Sequence, residues 1–226
     1  MSESPDRFAP TPHTEVKRLP DRANYDREYV HGILDEGLIV HIGFVTSGGQ
    51  PVVIPTTYVR VDDVLYIHGS PASRMLKSLE KGIPFCATVT LLDGLVLARS
   101  AFHHSMNYRS VVVMGKAYEV KDLGEKARVL DALVEHIVPG RTADARAAND
   151  FELRFTQLLA LPINEASAKT RTGPPNDDAE DLGIPAWAGV IPLALTPGAP
   201  VADEHAETAT PAPAYASGYR RSNGCP

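Results

Sequence analysis

PVVIPTTYVRVDDVLYIHGSPASRM, from Pro51 to Met75, is the stretch whose reading decides the fold. Val52 to Val61 is rich in β-branched residues, and Asp62-Asp63 turns the chain into a second apolar run, Val64 to Ile67. Gly69, Ser70, Pro71 and Ala72 then make a tight connection of small residues. Ser73 stands at a helix N-cap, with Arg74 and Lys77 in the first turn. A helix start offers unpaired backbone N–H groups and a positive dipole end, so a hydroxyl and two cations there make a seat for a phosphate. A plain serine cap with Arg and Lys facing water explains the same residues, and the motif alone does not choose.

The same reading extends outward. Upstream, a helix is predicted over Arg27 to Glu36, with Asp26 as N-cap, Gly37 at C′ and Val30, Ile33 and Leu34 as its apolar stripe. Leu38 to Thr46 pairs with Val52 to Val61 across the hairpin signal Ser47-Gly48-Gly49-Gln50-Pro51. Downstream, Phe85 to Leu92 is a strand. Asp93-Gly94 reads as a two-residue hairpin turn into Leu95 to Phe102, and Tyr108 to Val120 is a longer strand. Asp122 and Glu125 start a helix whose Leu130, Leu133, Val134, Ile137 and Val138 share one face. A further helix covers Asn149 to Thr156. Leu158 to Ala168 is a last long strand interrupted by Pro162, and Trp187 to Leu195 closes the ordered part. Six or more strands in hairpin order with one short helix between them indicate a mainly β protein, an antiparallel barrel or curled sheet.

Composition bounds the function. The chain has 226 residues, 43% of them hydrophobic, enough for one domain with a full core. A net charge of −6 argues against nucleic acid as a general partner, which dense Lys and Arg would bind. No apolar run approaches membrane-spanning length. Cys86 lies in a strand-like run and Cys225 in a polar tail, so neither a metal site nor a disulfide is indicated, and a reducing cytoplasm is the expected compartment. The expected division is a flexible leader, 1–23, one domain, 24–195, and a disordered Ala/Pro/Thr/Glu tail, 196–226.

Three segments resemble the pyridoxamine 5′-phosphate oxidase-like superfamily of FMN-binding split β-barrels, in its nitroimidazole-reductase-like branch. They are Pro51 to Met75, NYRSVVVMGKAYEV from Asn107 to Val120, and the Trp187-Ala188-Gly189 end piece. The resemblance implies an antiparallel split β-barrel of the FMN-binding type, working as a homodimer with flavin at the subunit interface. It implies that Val53, Ile54, Pro55 and Thr56 lie along the isoalloxazine ring, and that Ile67 and His68 sit beside the ribityl chain and phosphate. Ser73, Arg74 and Lys77 would hold the phosphate, Ser110 would reach the partner's flavin, and Trp187 would pack near the ring. Two departures stand out. Met75 occupies the place where many relatives carry a Lys after the phosphate Arg. WAGVIPL replaces the Arg-x-His pattern of enzymes that oxidise pyridoxamine phosphate.

Other residues have competing readings. His68 can touch a flavin or simply end a strand. His103-His104 is a pair of the kind that ligates metal or haem, but adjacent strand residues face opposite ways, which favours surface or dimer contacts. Arg99 and Arg109 can hold an anionic substrate or form salt bridges at a dimer seam. Tyr108 can donate a proton or be an ordinary strand aromatic. His41 reads as a satisfied core or seam residue, and Asp177 to Asp181 as a solvated loop without ligand spacing for a metal. The function expected is an FMN-dependent oxidoreductase acting on a small molecule by hydride transfer at flavin N5. The alternatives are a non-catalytic flavin- or haem-binding module and a small-molecule resistance or binding protein with an altered flavin site.

Overall fold

A computed structural model describes residues 6–205 and 211–221. In chain order its elements are β1 (Ala23–Asn24), α1 (Arg27–Glu36), β2 (Ile39–Val45), β3 (Pro51–Thr57), β4 (Val59–Val61), β5 (Val64–Gly69), α2 (Arg74–Leu79) and β6 (Pro84–Leu97). There follow β7 (Ser105–Lys116), β8 (Tyr118–Glu119), α3 (Leu123–Ile137), α4 (Asp150–Phe155), β9 (Gln157–Pro162), β10 (Glu165–Arg171), β11 (Gly189–Pro192) and α5 (Ala214–Ser217). Two antiparallel sheets result. The larger runs β1-β10-β7-β6-β2-β3, with β11 also paired to β6; the smaller runs β4-β5-β9-β8. The expected mainly β, antiparallel architecture is what the chain adopts. Among the described residues no helix is long and apolar enough to cross a membrane.

Strand alternation divides the larger sheet into two unlike faces. Ile42, Ala87 and Val113 lie side by side in register, all of them buried. With Val40, Phe44, Val89 and Val111 they form the inner face, covered by α1, α2, Leu65 and Ile67. The next row, His41, Thr88 and Val112, points the other way, as do Thr90, Ser110 and Met114. These outer residues are half-buried or exposed. Of the apolar pair in the long strand, Val113 is therefore the inward residue and Val112 the outward one. The smaller sheet is buried on both faces. Leu65, Ile67, Leu159 and Leu161 enter the main core, while Val59, Tyr66, Leu158 and Ala160 pack with Val129 and Leu133 of α3. That two-sided burial is why β9 reads as an unbroken apolar run.

The structure corrects several expectations. Asp93-Gly94 is not a hairpin turn: β6 continues through it, with a bulge that shifts the register between Leu92 and Gly94. Gly94 lets β11 lie close, since a Cβ there would meet Val190 and the Ile191 carbonyl at 3.0 and 3.1 Å. The chain reverses later, through a 3-10 turn at Ala101–His103. Leu158 to Ala168 is not one strand but β9 and β10, in different sheets, divided just after Pro162. The long strand ends at Lys116, after which Tyr118–Glu119 joins the smaller sheet. Gly37 ends α1 with φ −69°, outside the left-handed region. It is a glycine for space: a Cβ would lie 2.5 Å from Val89 and 2.6 Å from the Tyr58 hydroxyl.

The first and the last of the described segments are both attached to the fold. Residues 6–22, expected as a flexible leader, put Phe8 into the main core at 2% exposure. The Phe8 N–H donates to the Tyr25 carbonyl at 2.9 Å. The Arg27 guanidinium covers the Phe8 ring at 4.2 Å. In the segment expected as a disordered tail, residues 211–221 form α5 and reach back to the domain. The Tyr219 hydroxyl donates to the Ile137 carbonyl at 2.8 Å, and the Tyr215 hydroxyl to Asp144 at 2.8 Å. Composition hides these anchors because each is a single aromatic or Arg in a polar background; residues 206–210 and 222–226, Cys225 included, lie outside the described residues. If Phe8 is a core residue, Phe8→Ala should cost about 3–5 kcal/mol in urea unfolding. An unchanged midpoint would show that the leader is not part of the folded unit.

Candidate functional site

The turn into α2 is fixed locally. The Ser73 N–H donates to the Ser70 carbonyl at 2.8 Å, and the Ala72 N–H to the Ser70 hydroxyl at 3.1 Å. Ser73 is the N-cap: its hydroxyl accepts from the Leu76 N–H at 3.4 Å. The plain-cap reading is therefore realised in the chain by itself. The cations nevertheless stand ready. Arg74 and Lys77 are exposed, and among the described residues neither side chain makes a hydrogen bond or ion pair. Met75, by contrast, is 5% exposed and belongs to the main core. The position after Arg74 thus faces inward, and Lys77 is the second cation on the open side. Six residues of helix give only a weak axial field, so a phosphate here would depend on the two cations and the free N–H groups of the first turn.

β3 is an edge of the larger sheet, so the outward backbone groups of Val53 to Thr56 have no strand partner. Val53 is 66% exposed, and Pro55 lies opposite His41. Ile67 is buried at 1% exposure and packs in the core rather than lining an open surface. His68 ends β5 with its Nδ1 enclosed and unpartnered, and burial holds its imidazole below its ordinary pKa. His41, read from sequence as satisfied, is exposed on the outer face.

Ser110 is also on the outer face, donating to the Lys169 carbonyl at 3.1 Å. It stands on the third strand from β3, roughly 14 Å away at an inter-strand spacing of about 4.8 Å. Trp187 is 67% exposed, and its ring closes over Gly189, where a Cβ would come within 2.8 Å of it. The chain therefore brings Ser73, Arg74 and Lys77 together, and sets β3, Ser110 and Trp187 apart from one another.

The acidic loop is not simply solvated. The Asp177 side chain is 2% exposed and accepts the Arg99 N–H and guanidinium, each at 2.8 Å. Burial pushes this carboxyl up, but the Arg99 backbone, the Arg99 guanidinium and the Ser100 N–H outweigh it and hold it below the usual carboxylate range. Asp178 binds His103 Nε2 at 3.0 Å, and His104 Nδ1 meets the Ser100 carbonyl at 2.9 Å. His103 thus pins the loop that leads to Trp187, while His104 bonds within its own turn. Among the described residues no group of three His, Cys, Asp or Glu is placed to hold a metal ion.

Arg109 points to the inner face and joins two carboxylates of its own chain. It donates to Asp93 through Nε at 3.0 Å and Nη2 at 2.8 Å, and through Nη2 to Glu36 at 2.9 Å. Hydrogen bonds to Glu36 and then to Asp93 hold its guanidinium well above the ordinary arginine range. Sequence reading did not single out Glu36. The available signal was a carboxylate in the last turn of a helix, where the dipole disfavours it unless a cation answers.

The sequence profile of the family described as pyridoxamine 5′-phosphate oxidase matches residues 26–170. The chain belongs to that family. Among solved structures it is similar to the flavocytochrome Anf3 of Azotobacter vinelandii, with 41% identity and a TM-score of 0.87 over 94% of this chain and 99% of that one. It is also similar to the FAD- and haem-binding protein of Mycobacterium smegmatis, with 38% identity and a TM-score of 0.83 over 87% of this chain and 96% of that one. A 5-nitroimidazole antibiotic resistance protein of Bacteroides thetaiotaomicron shares the fold at 24% identity and a TM-score of 0.55, over 65% of this chain and 85% of that one. No curated protein matches the sequence.

The His103–Asp178 contact predicts a pH dependence for the Trp187 loop. The hydrogen bond to Asp178 holds the His103 imidazole above its ordinary 6.5. A raised pKa favours the protonated folded form, so the clamp is complete below about pH 6.5 and fades as pH rises through the raised value. Trp187 is the single tryptophan and reports on it. Its fluorescence should change over the neutral-to-alkaline range in the wild type and stay flat in His103→Gln. The same titration in both proteins would contradict the clamp.

Proposed function

We propose that this chain is a flavin-dependent oxidoreductase whose flavin sits between two copies of the outer sheet face. The observation that carries the reading is the similarity at 41% identity, over nearly the full length of both chains, to a flavocytochrome. The residues suit the group. Arg74 and Lys77 are unpaired cations beside free N–H groups, and the edge backbone of β3 offers donors and acceptors to a planar ring. Ser110 is too far along the sheet to reach a ring on its own β3, so a two-fold partner would have to bring it. When bound, a flavin supplies hydride or single-electron transfer at N5. The protein's part is to hold the phosphate, pair the ring edge with backbone and keep water from one ring face through the partner. The single phosphate seat favours FMN, whereas the Mycobacterium smegmatis relative is a binder of FAD; the mass of the released flavin separates the two. The substrate is a small molecule, and WAGVIPL sets the reaction apart from pyridoxamine phosphate oxidation.

A haem beside the flavin is the second reading, favoured by the two relatives at 41% and 38% identity. Among the described residues, His41 and His68 are the histidines whose rings carry no hydrogen bond or ion pair, and burial lowers the His68 pKa, which favours the neutral ring that ligates iron. The absorption spectrum of the purified protein tests both readings. Arg74→Ala should weaken flavin binding roughly tenfold to a hundredfold, the worth of one charge-assisted hydrogen bond, and Lys77→Ala should cost less. His68→Ala should remove a haem band and leave the flavin band. A colourless wild type that takes up neither group on reconstitution would overturn the proposal.

A further inference from the structure

β6 has two partners on one edge. β2 pairs with Phe85 to Thr88, and β11 with Gly94 to Leu97. Between them a cavity of about 410 Å³ opens along Thr90 to Asp93. Leu38, Leu91, Leu92, Leu193 and Leu195 supply its apolar walls. None of the residues assigned above to a flavin lines it.

The charges around the cavity are unequal. Glu36 and Asp93 are two carboxylates sharing the single Arg109 guanidinium, with 13% and 27% of their side chains exposed. Among the described residues that line the cavity, these two carboxylates outnumber the one guanidinium of Arg109, and the carbonyl end of α1 adds to the negative field. The balancing cation comes from the C-terminal segment. Arg221 lines the cavity and donates to the Asp35 and Glu36 carbonyls at 2.8 Å and to Gly37 at 3.3 Å, and also to the His136 carbonyl at the end of α3. These are helix-end carbonyls without intrahelical partners. Among the described residues Arg221 is held by backbone carbonyls, on a segment joined to the domain through Tyr215, Tyr219 and itself. It sits where the charge of a bound molecule would sit.

We propose that this cavity is a second binding site, for a small molecule with an amidinium, guanidinium or ammonium group on an apolar body, and that Arg221 is its internal occupant. Displacement of the C-terminal segment opens the site, and a ligand cation then takes over the α1 carbonyl end and the Glu36–Asp93 field. The inference is independent of the flavin reading.

Benzamidine and its neutral analogue benzamide test it, by calorimetry on the full-length protein. Wild type should bind benzamidine weakly, because Arg221 competes. Arg221→Ala should bind benzamidine at least tenfold more tightly than wild type does, and at least tenfold more tightly than it binds benzamide. Arg221→Lys, which keeps a cation in the mouth, should behave like wild type. Arg221→Gln removes the charge but keeps donors for the carbonyls, and serves as the same test where the alanine variant is unfolded. Equal affinity for benzamidine and benzamide in the neutral variants, or no gain over wild type, would overturn the proposal.

Discussion

Among the described residues the larger sheet is fully covered on one face only, and the rest of the molecule follows from that constraint. Helices α1 and α2 and the smaller sheet close the inner face so fully that Val40, Ile42, Val111 and Val113 have no measurable exposure. The outer face keeps Val112, Met114, Thr88 and Ser110 half-buried, and Met106 is 52% exposed. Such a surface is too apolar to be a plain solvent face and too open to be a core. A second copy meeting it would bury those residues, and would carry Ser110 across to a ring on the other chain's β3. The similarity to a flavocytochrome supports a flavin, and the half-buried apolar residues of the outer face support a second copy; the proposed arrangement joins the two.

A second organising contact is Arg109. One guanidinium ties the end of α1, through Glu36, to the bulge of β6, through Asp93. It therefore fixes where β6 leaves β2 and where β11 joins. Removing it would leave two partly buried carboxylates facing each other, a defect that solvent at Asp93 keeps below the about 3–5 kcal/mol of a fully buried pair. The gap between β2 and β11 is a consequence of this geometry, and Arg221 answers the charge that the gap exposes. The described segments nearest the two termini are attached by single residues. Phe8 fills apolar space, and Tyr219 and Arg221 satisfy helix-end carbonyls.

Much of this was legible in the residues. The α1 boundaries, the Gly49 hairpin, the Ser73 cap and the Asp122 cap are local features, governed by a few neighbouring residues, and they fold as read. What escaped was non-local. Asp93-Gly94 has the composition of a tight turn, yet Arg109 on the neighbouring strand and β11 at the edge make it a bulge. Gly37 has the position of a helix-ending glycine, yet it is needed for the approach of Tyr58 and Val89. The leader and tail lack periodicity, so their single anchoring residues could not be weighed from sequence. Of the site, the cations of α2 and the edge strand were readable. The pairing of His103 with Asp178, and the isolation of Ser110 from β3, depend on which strands the fold makes neighbours.

The proposed flavin site and the proposed dimer share the outer face. Sedimentation velocity, followed at both the protein and the flavin absorption bands, tests it most directly when wild type is run beside Val112→Glu. The account predicts a flavin-bearing dimer for the wild type. For the variant it predicts a folded monomer without flavin, because the new carboxylate lies on the outward face and spares the core. A wild type that sediments as a monomer while retaining its flavin, or a Val112→Glu monomer that still holds it, would contradict the account.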